Sequence, residues 1–218
     1  MSTVAVLKGD VHAEGVGKTI DTTTLLLPTN VRAKPGRCVV LRGPNGSGKT
    51  TLLRIIGGLL EPTVGTATIG GVRADERLPS IRAAVGALIG TPTTYRDLTL
   101  IDHLVLIDST WGRDPDTSDA RGLELMGQLG IEHLHDRFPH ELSSGQQQLF
   151  RLALTFSRPA TVVLLDEPEQ RLDTGKREVV TELIRERARA GATVVMACHD
   201  PAMTKSLATS VVDVVPAR

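Results

Sequence analysis

A glycine-rich octapeptide is the first segment whose residue types and spacing could do chemistry. Residues Gly43 to Thr50 fit the pattern G-x-x-x-x-G-K-[ST] and lie between a strand-like apolar run and an amphipathic, helix-like stretch. Glycines let the backbone turn tightly so that N–H groups point at phosphate oxygens, and the following helix adds its positive N-terminal end. The residues expected to bind a nucleotide here are Gly43, Pro44, Asn45, Gly46, Ser47, Gly48, Lys49, Thr50 and Thr51. Lys49 would reach the β- and γ-phosphates, and the Thr50 hydroxyl would bind Mg²⁺.

Two consecutive carboxylates follow a buried, strand-like run later in the chain. Asp166 and Glu167 come directly after Val162–Leu165, so they lie at the carboxyl end of a strand, where open α/β sheets bind their ligands. Asp166 can hold the hydration shell of Mg²⁺ beside Thr50, and Glu167 is then placed to polarise an attacking water. A solvated strand-to-loop junction is the alternative interpretation of the pair. The phosphate loop upstream favours the catalytic one.

A third segment combines serines with the start of a helical pattern. Leu142–Gln146 reads L-S-S-G-Q, and either Ser143 or Ser144 can cap the helix that follows. The first N–H groups of a helix lack intrahelical partners. This helix start is therefore a candidate phosphate-binding site.

The elements that position these residues alternate between strand and helix. Short, valine-rich runs bounded by turn residues predict strands buried on both faces of a sheet, and the alternation predicts a largely parallel sheet of the α/β class. A polar run, Asp108 to Asp119, is expected to be a surface loop within a mostly helical region from 98 to 156. The predicted strands are 38–41, 66–69, 162–165, 194–197 and 211–215. The predicted helices include 176–190 and a stretch over 52–60 that closes near Gly57–Gly58 and Glu61–Pro62.

The composition is that of a single globular domain of 218 residues. Its 25 basic and 25 acidic side chains cancel, which argues against a duplex-binding surface, because such a surface needs an excess of Lys and Arg. No aliphatic run approaches the roughly 20 residues that cross a bilayer, and the N-terminus lacks a secretory signal, so a cytoplasmic chain is expected. Cys38 and Cys198 lie in apolar, strand-like runs, where two reduced structural thiols are expected.

The order of the three motifs resembles that of the ATP-binding cassette (ABC) ATPases, whose signature loop L-S-G-G-Q shortly precedes the Walker B strand. The resemblance covers nearly the whole chain and includes the D-loop, Glu169–Asp173, and the switch histidine, His199. It implies one ABC ATPase domain over residues 1–218, with an α/β P-loop NTPase core and a mainly parallel sheet. It also implies an N-terminal antiparallel β region around Val4 to Leu27 and an inserted helical subdomain at about 98–156.

The resemblance further implies a composite active site with ATP and Mg²⁺ as cofactors. In this family two cassettes dimerise head to tail, and each ATP lies between one phosphate loop and the other cassette's signature helix. The residues that would face the nucleotide across this interface are Ser143, Ser144, Gly145 and Gln146. Asp173 would contact the partner cassette, and His199 would bind the γ-phosphate and help to hold Glu167 and water. The implied partners are a second, identical or different cassette and a membrane permease that selects the transported substrate, with the chain on the cytoplasmic face.

Four departures from the family pattern bear on activity. Gly90 stands where these ATPases usually carry the Q-loop glutamine, and Val16 where they carry an aromatic residue that stacks on adenine. Ser144 replaces a signature glycine, and Gln170–Asp173 replaces the commoner string S-A-L-D but keeps the aspartate. These changes are compatible with neutral drift or with a weakened ATPase site.

Three functions therefore remain open for the sequence. The first is the ATP-hydrolysing subunit of a transporter that powers a separate permease. The second is a nucleotide-gated regulatory or assembly module with low turnover, which the missing glutamine and aromatic residue favour. The third is a soluble ABC ATPase acting on nucleic acid or the ribosome, against which stand the single cassette, the absence of a long heptad run and the zero net charge, so no nucleic acid is expected. A simple P-loop kinase would have no use for the signature loop.

Overall fold

The computed structural model describes residues 7–217, in which two β-sheets pack with helices around them. An antiparallel sheet has the order β2-β1-β4-β5, and a five-stranded, wholly parallel sheet has the order β6-β7-β8-β3-β9. The strands are β1 Val11–Ile20, β2 Thr23–Ala33, β3 Cys38–Arg42, β4 Val64–Ile69, β5 Val72–Arg73, β6 Val85–Leu88, β7 Val162–Asp166, β8 Thr193–Ala197 and β9 Ser210–Asp213. The α/β class and the parallel sheet predicted from the sequence are confirmed.

Helices cover both faces of the parallel sheet. They are α1 Lys49–Ile56, α2 Pro79–Ala84, α3 Leu100–Thr110, α4 Ser118–Gln128, α5 Ser144–Phe156, α6 Thr174–Arg189 and α7 Pro201–Leu207, and short 3₁₀ turns occur at Pro115–Thr117, Glu132–Leu134 and Pro139–Glu141. Within residues 7–217, no helix combines the length and apolar character that a membrane crossing requires.

The parallel sheet lies between two apolar layers because its strands are apolar on both faces. In β7, Val163 and Leu165 face the layer that contains α3 to α7, whereas Val162 and Leu164 face the layer that contains α1, α2 and the antiparallel sheet. This arrangement leaves the carboxyl ends of the strands as the accessible edge of the sheet. Cys38 and Cys198 are buried free thiols, as expected, and burial raises the pKa of each to about 12.

Several predicted boundaries shift in the structure. The N-terminal antiparallel region is present but extends beyond Leu27 to Ala33, and its first predicted residues, 4–6, lie outside the described part of the chain. The last strand ends at Asp213 and not at residue 215. Helix α6 begins at Thr174, two residues before the predicted start, because the Asp173 carboxylate accepts a hydrogen bond from the Lys176 N–H (2.9 Å) and caps it.

The prediction of a surface loop from Asp108 to Asp119 is wrong at both ends. Asp108 lies inside α3 and is buried, and α4 already begins at Ser118. The Asp108 carboxylate accepts hydrogen bonds from Arg113 (3.0 Å), Ser118 (2.8 Å) and Arg121 (3.0 Å from Nε). Polar residues here form a buried ion-pair network between two helices, and only 111–117 connects them.

We expect Asp108→Asn to lower the free energy of unfolding by about 1–3 kcal/mol. Removing one partner of a buried ion pair typically costs about 3–5 kcal/mol, and the loss is smaller here because both arginine side chains are about one-third exposed. Urea unfolding at pH 7 measures the change. Asp116→Asn, which alters an exposed carboxylate in the same segment, is the control and should stay within about 0.5 kcal/mol of the parent protein.

The difference in the free energy of unfolding between Asp108→Asn and the parent protein should depend on pH. Burial raises the pKa of Asp108, but hydrogen bonds from Arg121, Ser118 and Arg113 outweigh burial and hold this pKa below its ordinary value. The stabilisation by the carboxylate is thus fully present above the unfolded-state pKa of about 3.9 and is lost as the pH falls through the lowered pKa. An Asp108→Asn deficit that is as large in strong acid as at pH 7 would contradict this assignment.

Candidate functional site

The phosphate loop connects β3 to α1, and neighbouring backbone fixes its course. A Cβ atom at Gly43 would lie 2.3 Å from the carbonyl oxygen of Val214. Gly48 has a left-handed φ of +98°, and a Cβ atom there would lie 2.5 Å from the carbonyl oxygen of Leu25 in β2. Side chains are therefore excluded at both positions, and the antiparallel sheet helps to shape the loop.

Two buried side chains of this loop can donate to an anion. The Lys49 Nζ donates to the carbonyl oxygens of Gly43 (2.8 Å) and Pro44 (3.0 Å), which uses two of its three hydrogens. The Ser47 hydroxyl is buried and has no hydrogen-bond partner within residues 7–217. The other predicted loop residues have accessible surface: Pro44, Asn45 and Gly46 are exposed, and Thr51 is half-buried in the first turn of α1. The donors and the accessible residues of this loop are therefore suited to bind a phosphate group.

The predicted magnesium ligands meet directly. Thr50 Oγ1 donates a hydrogen bond of 2.7 Å to Asp166 Oδ2, which joins the start of α1 to the end of β7. Burial raises the pKa of Asp166, while the hydrogen bond from Thr50 lowers it in part. A partly desolvated carboxylate beside a hydroxyl is a pair of hard oxygen ligands of the kind that Mg²⁺ takes. The residues present therefore fit this cation.

Glu167 is held on both sides of its carboxylate. Its Oε1 lies 3.3 Å from the Nε2 of His199, and its Oε2 accepts a hydrogen bond of 3.0 Å from the Gln170 side chain. The Glu167 backbone is left-handed, with φ of +51°, and its N–H donates to the carbonyl oxygen of Ala197 (2.9 Å). The carboxylate remains about one-third exposed, so water can reach it.

Three further residues position this pair, and the sequence analysis assigned them no role. Gln148, buried on α5, donates to the carbonyl oxygens of Glu167 (3.2 Å) and Pro168 (3.3 Å). Buried Glu169 accepts a hydrogen bond of 2.6 Å from the N–H of His199. Gln170 makes the contact to Glu167 given above. Glu169 and Gln170 lie in the D-loop string and Gln148 follows the signature, but only the folded contacts reveal what they hold.

The signature segment forms a capped helix start. The Ser143 hydroxyl accepts from the N–H of Gln146 (3.4 Å), and the Gln146 Oε1 accepts from the N–H of Ser143 (2.9 Å). Ser143 and Ser144 are exposed, and within residues 7–217 the segment from Ser143 to Gln146 makes no hydrogen bond to the phosphate loop. Gly145 is buried, and a Cβ atom there would lie 3.0 Å from the carbonyl oxygen of Arg171. The structure does not bring these residues to the site of their own chain.

The structure shows the conformation and contacts of the residues at which the chain departs from the family pattern. Gly90 has a left-handed φ of +72°, and its carbonyl oxygen accepts a hydrogen bond from Arg151 on α5. Val16 is fully buried in the layer beneath the antiparallel sheet, so its side chain offers no face to adenine. Asp173 caps α6 and also pairs with Lys176 (2.9 Å), at an exposed position.

Comparisons with known proteins agree with this geometry. The family model for ABC transporters matches residues 26–170. The chain is 33% identical over 194 residues to the putative hemin import ATP-binding protein HrtA of Staphylococcus epidermidis, with 87% of each chain covered. It is 35% identical over 201 residues to the Fe(3+) ions import ATP-binding protein FbpC of Rhizobium etli, which covers 90% of this chain and 56% of that protein.

Solved structures give the same result. The ATP-binding subunit of an ABC transporter superimposes with a TM-score of 0.85 at 25% identity and covers 94% of this chain and 86% of its own. A dimeric post-hydrolysis state of the ATP-binding cassette MJ0796, bound to ADP and Pi, also has a TM-score of 0.85 at 25% identity, with 94% of both chains covered.

The phosphate loop and the Asp166–Glu167 pair thus meet at one edge of the parallel sheet, whereas the signature segment makes no hydrogen bond to the phosphate loop within residues 7–217. The family match covers more than half of the chain, and the similarity to HrtA extends over most of both proteins. These findings show that the chain belongs to the ABC transporter family, as one of its ATP-hydrolysing cassettes.

Proposed function

We propose that this cassette is the ATP-hydrolysing subunit of a transporter and powers a separate membrane permease. The observation that carries the proposal is the Thr50–Asp166 contact beside the Glu167–His199 pair, since it combines a cation site with a held carboxylate at the phosphate loop. The names of the relatives, which are import ATP-binding proteins, support a transport role. The whole chain, 1–218, is then one ABC ATPase domain, and its segment from about 98 to 156 is the helical subdomain.

ATP binding would rest on groups that are already oriented. The phosphate-loop amides, the third hydrogen of Lys49 and the Ser47 hydroxyl would bind the phosphate oxygens. Thr50 and Asp166 would hold Mg²⁺, which, when bound, neutralises the charge on the β- and γ-phosphates. Val16 offers no stacking face, so the affinity comes mainly from the phosphates.

Hydrolysis would use the fixed carboxylate of Glu167. A water beside Glu167 would give up a proton to the carboxylate as its oxygen bonds to the γ-phosphorus, and the bond from that phosphorus to the β–γ bridging oxygen breaks to release ADP. His199 would stabilise the γ-phosphate through its ring and keep Glu167 aimed at the water. Gln170 would restrain the other oxygen of the carboxylate.

A second cassette, identical or different, would complete the site. The signature residues Ser143 and Ser144 are exposed at a helix start, and the segment from Ser143 to Gln146 makes no hydrogen bond to its own phosphate loop within residues 7–217, which suits binding of the partner's γ-phosphate. Asp173, exposed at the start of α6, would contact the partner cassette. ATP would then link the two chains.

A cleft on the helical side suits a segment of the permease. It has a volume of about 410 Å³ between β6, α3 and α5 and is mainly apolar. At its rim Tyr95 is 58% exposed and Leu106 is 44% exposed. An apolar helix or loop of a membrane subunit would cover these side chains and hold the cassette on the cytoplasmic face of the membrane.

A regulatory or assembly module with low turnover is the second candidate function. It is favoured by the left-handed Gly90, which supplies no side chain at the Q-loop position, and by the buried Val16. ATP-dependent dimerisation with little hydrolysis would support it. The rate of turnover of the parent protein therefore separates the two candidates.

We expect Glu167→Gln to lower turnover strongly, to a small residual rate, while retaining ATP binding. Loss of a general base typically lowers a rate by about 10²–10⁴-fold, and the amide keeps the shape of the side chain. Mg-ATP hydrolysis and size-exclusion chromatography with ATP should give a nearly inactive, trapped dimer. Lys49→Ala, in contrast, should lose both ATP binding and the dimer. A parent protein that binds no Mg-ATP would overturn the proposal.

Gln170→Ala should lower kcat by roughly tenfold and leave the ATP dissociation constant unchanged. A hydrogen bond to a charged group is worth about 1.5–3 kcal/mol, and part of that free energy orients Glu167 in the transition state. The double variant with Glu167→Gln is the control. If Gln170 acts through Glu167, adding Gln170→Ala should not slow the Glu167→Gln variant further; an additive loss would contradict this role.

Leu106→Glu should prevent binding to the permease without lowering ATP affinity. The substitution places a charge in the apolar cleft, and burying it against an apolar partner would be costly. The measurement is copurification, from detergent-solubilised membranes, of a protein with several membrane-spanning helices. Val179→Glu, at an exposed side chain of α6, is the matched control and should retain the partner. Equal recovery with both variants would exclude this cleft as the docking surface.

A further inference from the structure

A second cleft, remote from the phosphate loop, is rich in arginine. It has a volume of about 230 Å³ and lies between the C-terminal ends of α3, α5 and α6 and the start of α4. Four guanidinium groups line it, those of Arg113, Arg121, Arg158 and Arg187. We call it the arginine cleft. None of its residues belongs to the nucleotide site described above.

Two of the four arginines are already neutralised. Arg113 and Arg121 form ion pairs with the buried carboxylate of Asp108, which also accepts a hydrogen bond from Ser118. Both oxygens of this carboxylate are therefore used. Asp108 has no remaining role as a counter-ion for the other two arginines.

Arg158 and Arg187 have no ion-pair partner within residues 7–217. Each guanidinium lies over an aromatic ring, that of Arg158 over Trp111 (5.3 Å) and that of Arg187 over Phe156 (5.6 Å). Stacking covers a face of the guanidinium but leaves its N–H edge free to donate. Arg158 uses part of this edge for the carbonyl oxygen of Arg82 (2.8 Å).

Within residues 7–217, the Arg187 side chain lacks a hydrogen-bond partner for one of its buried N–H groups. Its Nε is buried and has no hydrogen-bond partner in the described chain. Burial lowers the pKa of both Arg158 and Arg187, because their positive charge is held away from water. Glu124 also lines the cleft but forms no ion pair with Arg187. Glu186 and Glu124 offset part of the Arg187 charge but form no direct ion pair with it. A buried donor without a partner is costly unless an anion completes it.

We propose that the arginine cleft binds a small anion through a phosphoryl group, either inorganic phosphate or the phosphate of a small monoester. A phosphoryl group carries up to two charges and three oxygens, which match two guanidinium edges, whereas a monocarboxylate offers one charge and two oxygens. The volume suits a small ligand rather than a nucleotide, since pockets for drug-sized molecules span about 300–1,000 Å³.

The site is independent of ATP binding. It lies at the C-terminal end of α5, whereas the signature residues lie at the N-terminal end, and 13 helical residues separate the two ends by about 20 Å. The cleft also shares no lining residue with the phosphate loop, so an anion bound there would not occupy the ATP site.

The test is titration of the Lys49→Ala variant with inorganic phosphate, followed by calorimetry and by Trp111 fluorescence. The Lys49 substitution removes binding at the phosphate loop. Trp111 is the only tryptophan in the chain and lines the neighbouring apolar cleft, and its ring lies 5.3 Å from the Arg158 guanidinium, so its emission reports a movement of Arg158 on binding. Adding Arg187→Gln should weaken binding about tenfold or more, because a charge-assisted hydrogen bond is lost.

Arg189→Gln is the matched control, since it removes the same charge from the same helix at an exposed position outside the cleft. It should leave phosphate affinity unchanged. Absence of saturable binding by both methods, or equal weakening by the two substitutions, would overturn the proposal. Glycerol phosphate identifies the source of the anion: tighter binding than phosphate indicates a phosphorylated small molecule, and equal or weaker binding indicates free phosphate.

Discussion

The hydrogen bond between Thr50 and Asp166 joins segments that are 116 residues apart in the chain, and the rest of the site depends on it. It forms because β3 and β7 are parallel strands of one sheet, so that the helix start after one strand and the carboxylate at the end of the other reach the same edge. The two apolar layers hold this sheet from both faces. Burial of the strands thereby fixes the positions of Thr50 and Asp166 at the edge of the sheet.

The positioning of Glu167 requires backbone strain that its neighbours offset. A non-glycine residue in the left-handed region costs about 1–3 kcal/mol, and it persists only where the surrounding structure fixes it. Here the N–H of Glu167 is bonded to Ala197, its carbonyl oxygen to Gln148 and its carboxylate to Gln170. The residue that performs the proposed proton transfer is therefore held by β8, by α5 and by its own loop.

Local patterns predicted the phosphate loop and the carboxylate pair, because the residues of each are adjacent in sequence, and the alternation of strands and helices predicted the parallel sheet. Contacts between distant segments could not be predicted in this way. The run from Asp108 to Asp119 has the composition of a loop, yet its first residue is buried by Arg113 and Arg121, and only the packing of α3 on α4 brings these groups together. Glu169 illustrates the same limit, since its partner, the N–H of His199, is 30 residues away.

At Gly90 the backbone makes a contact to α5 although the position carries no side chain. The family pattern places a glutamine at this position, and here the carbonyl oxygen of Gly90 is bonded to Arg151, in the middle of the helix that begins with the signature residues. Arg151 also lines the apolar cleft proposed for the permease. This hydrogen bond connects the loop after β6 to α5 without a side chain at residue 90.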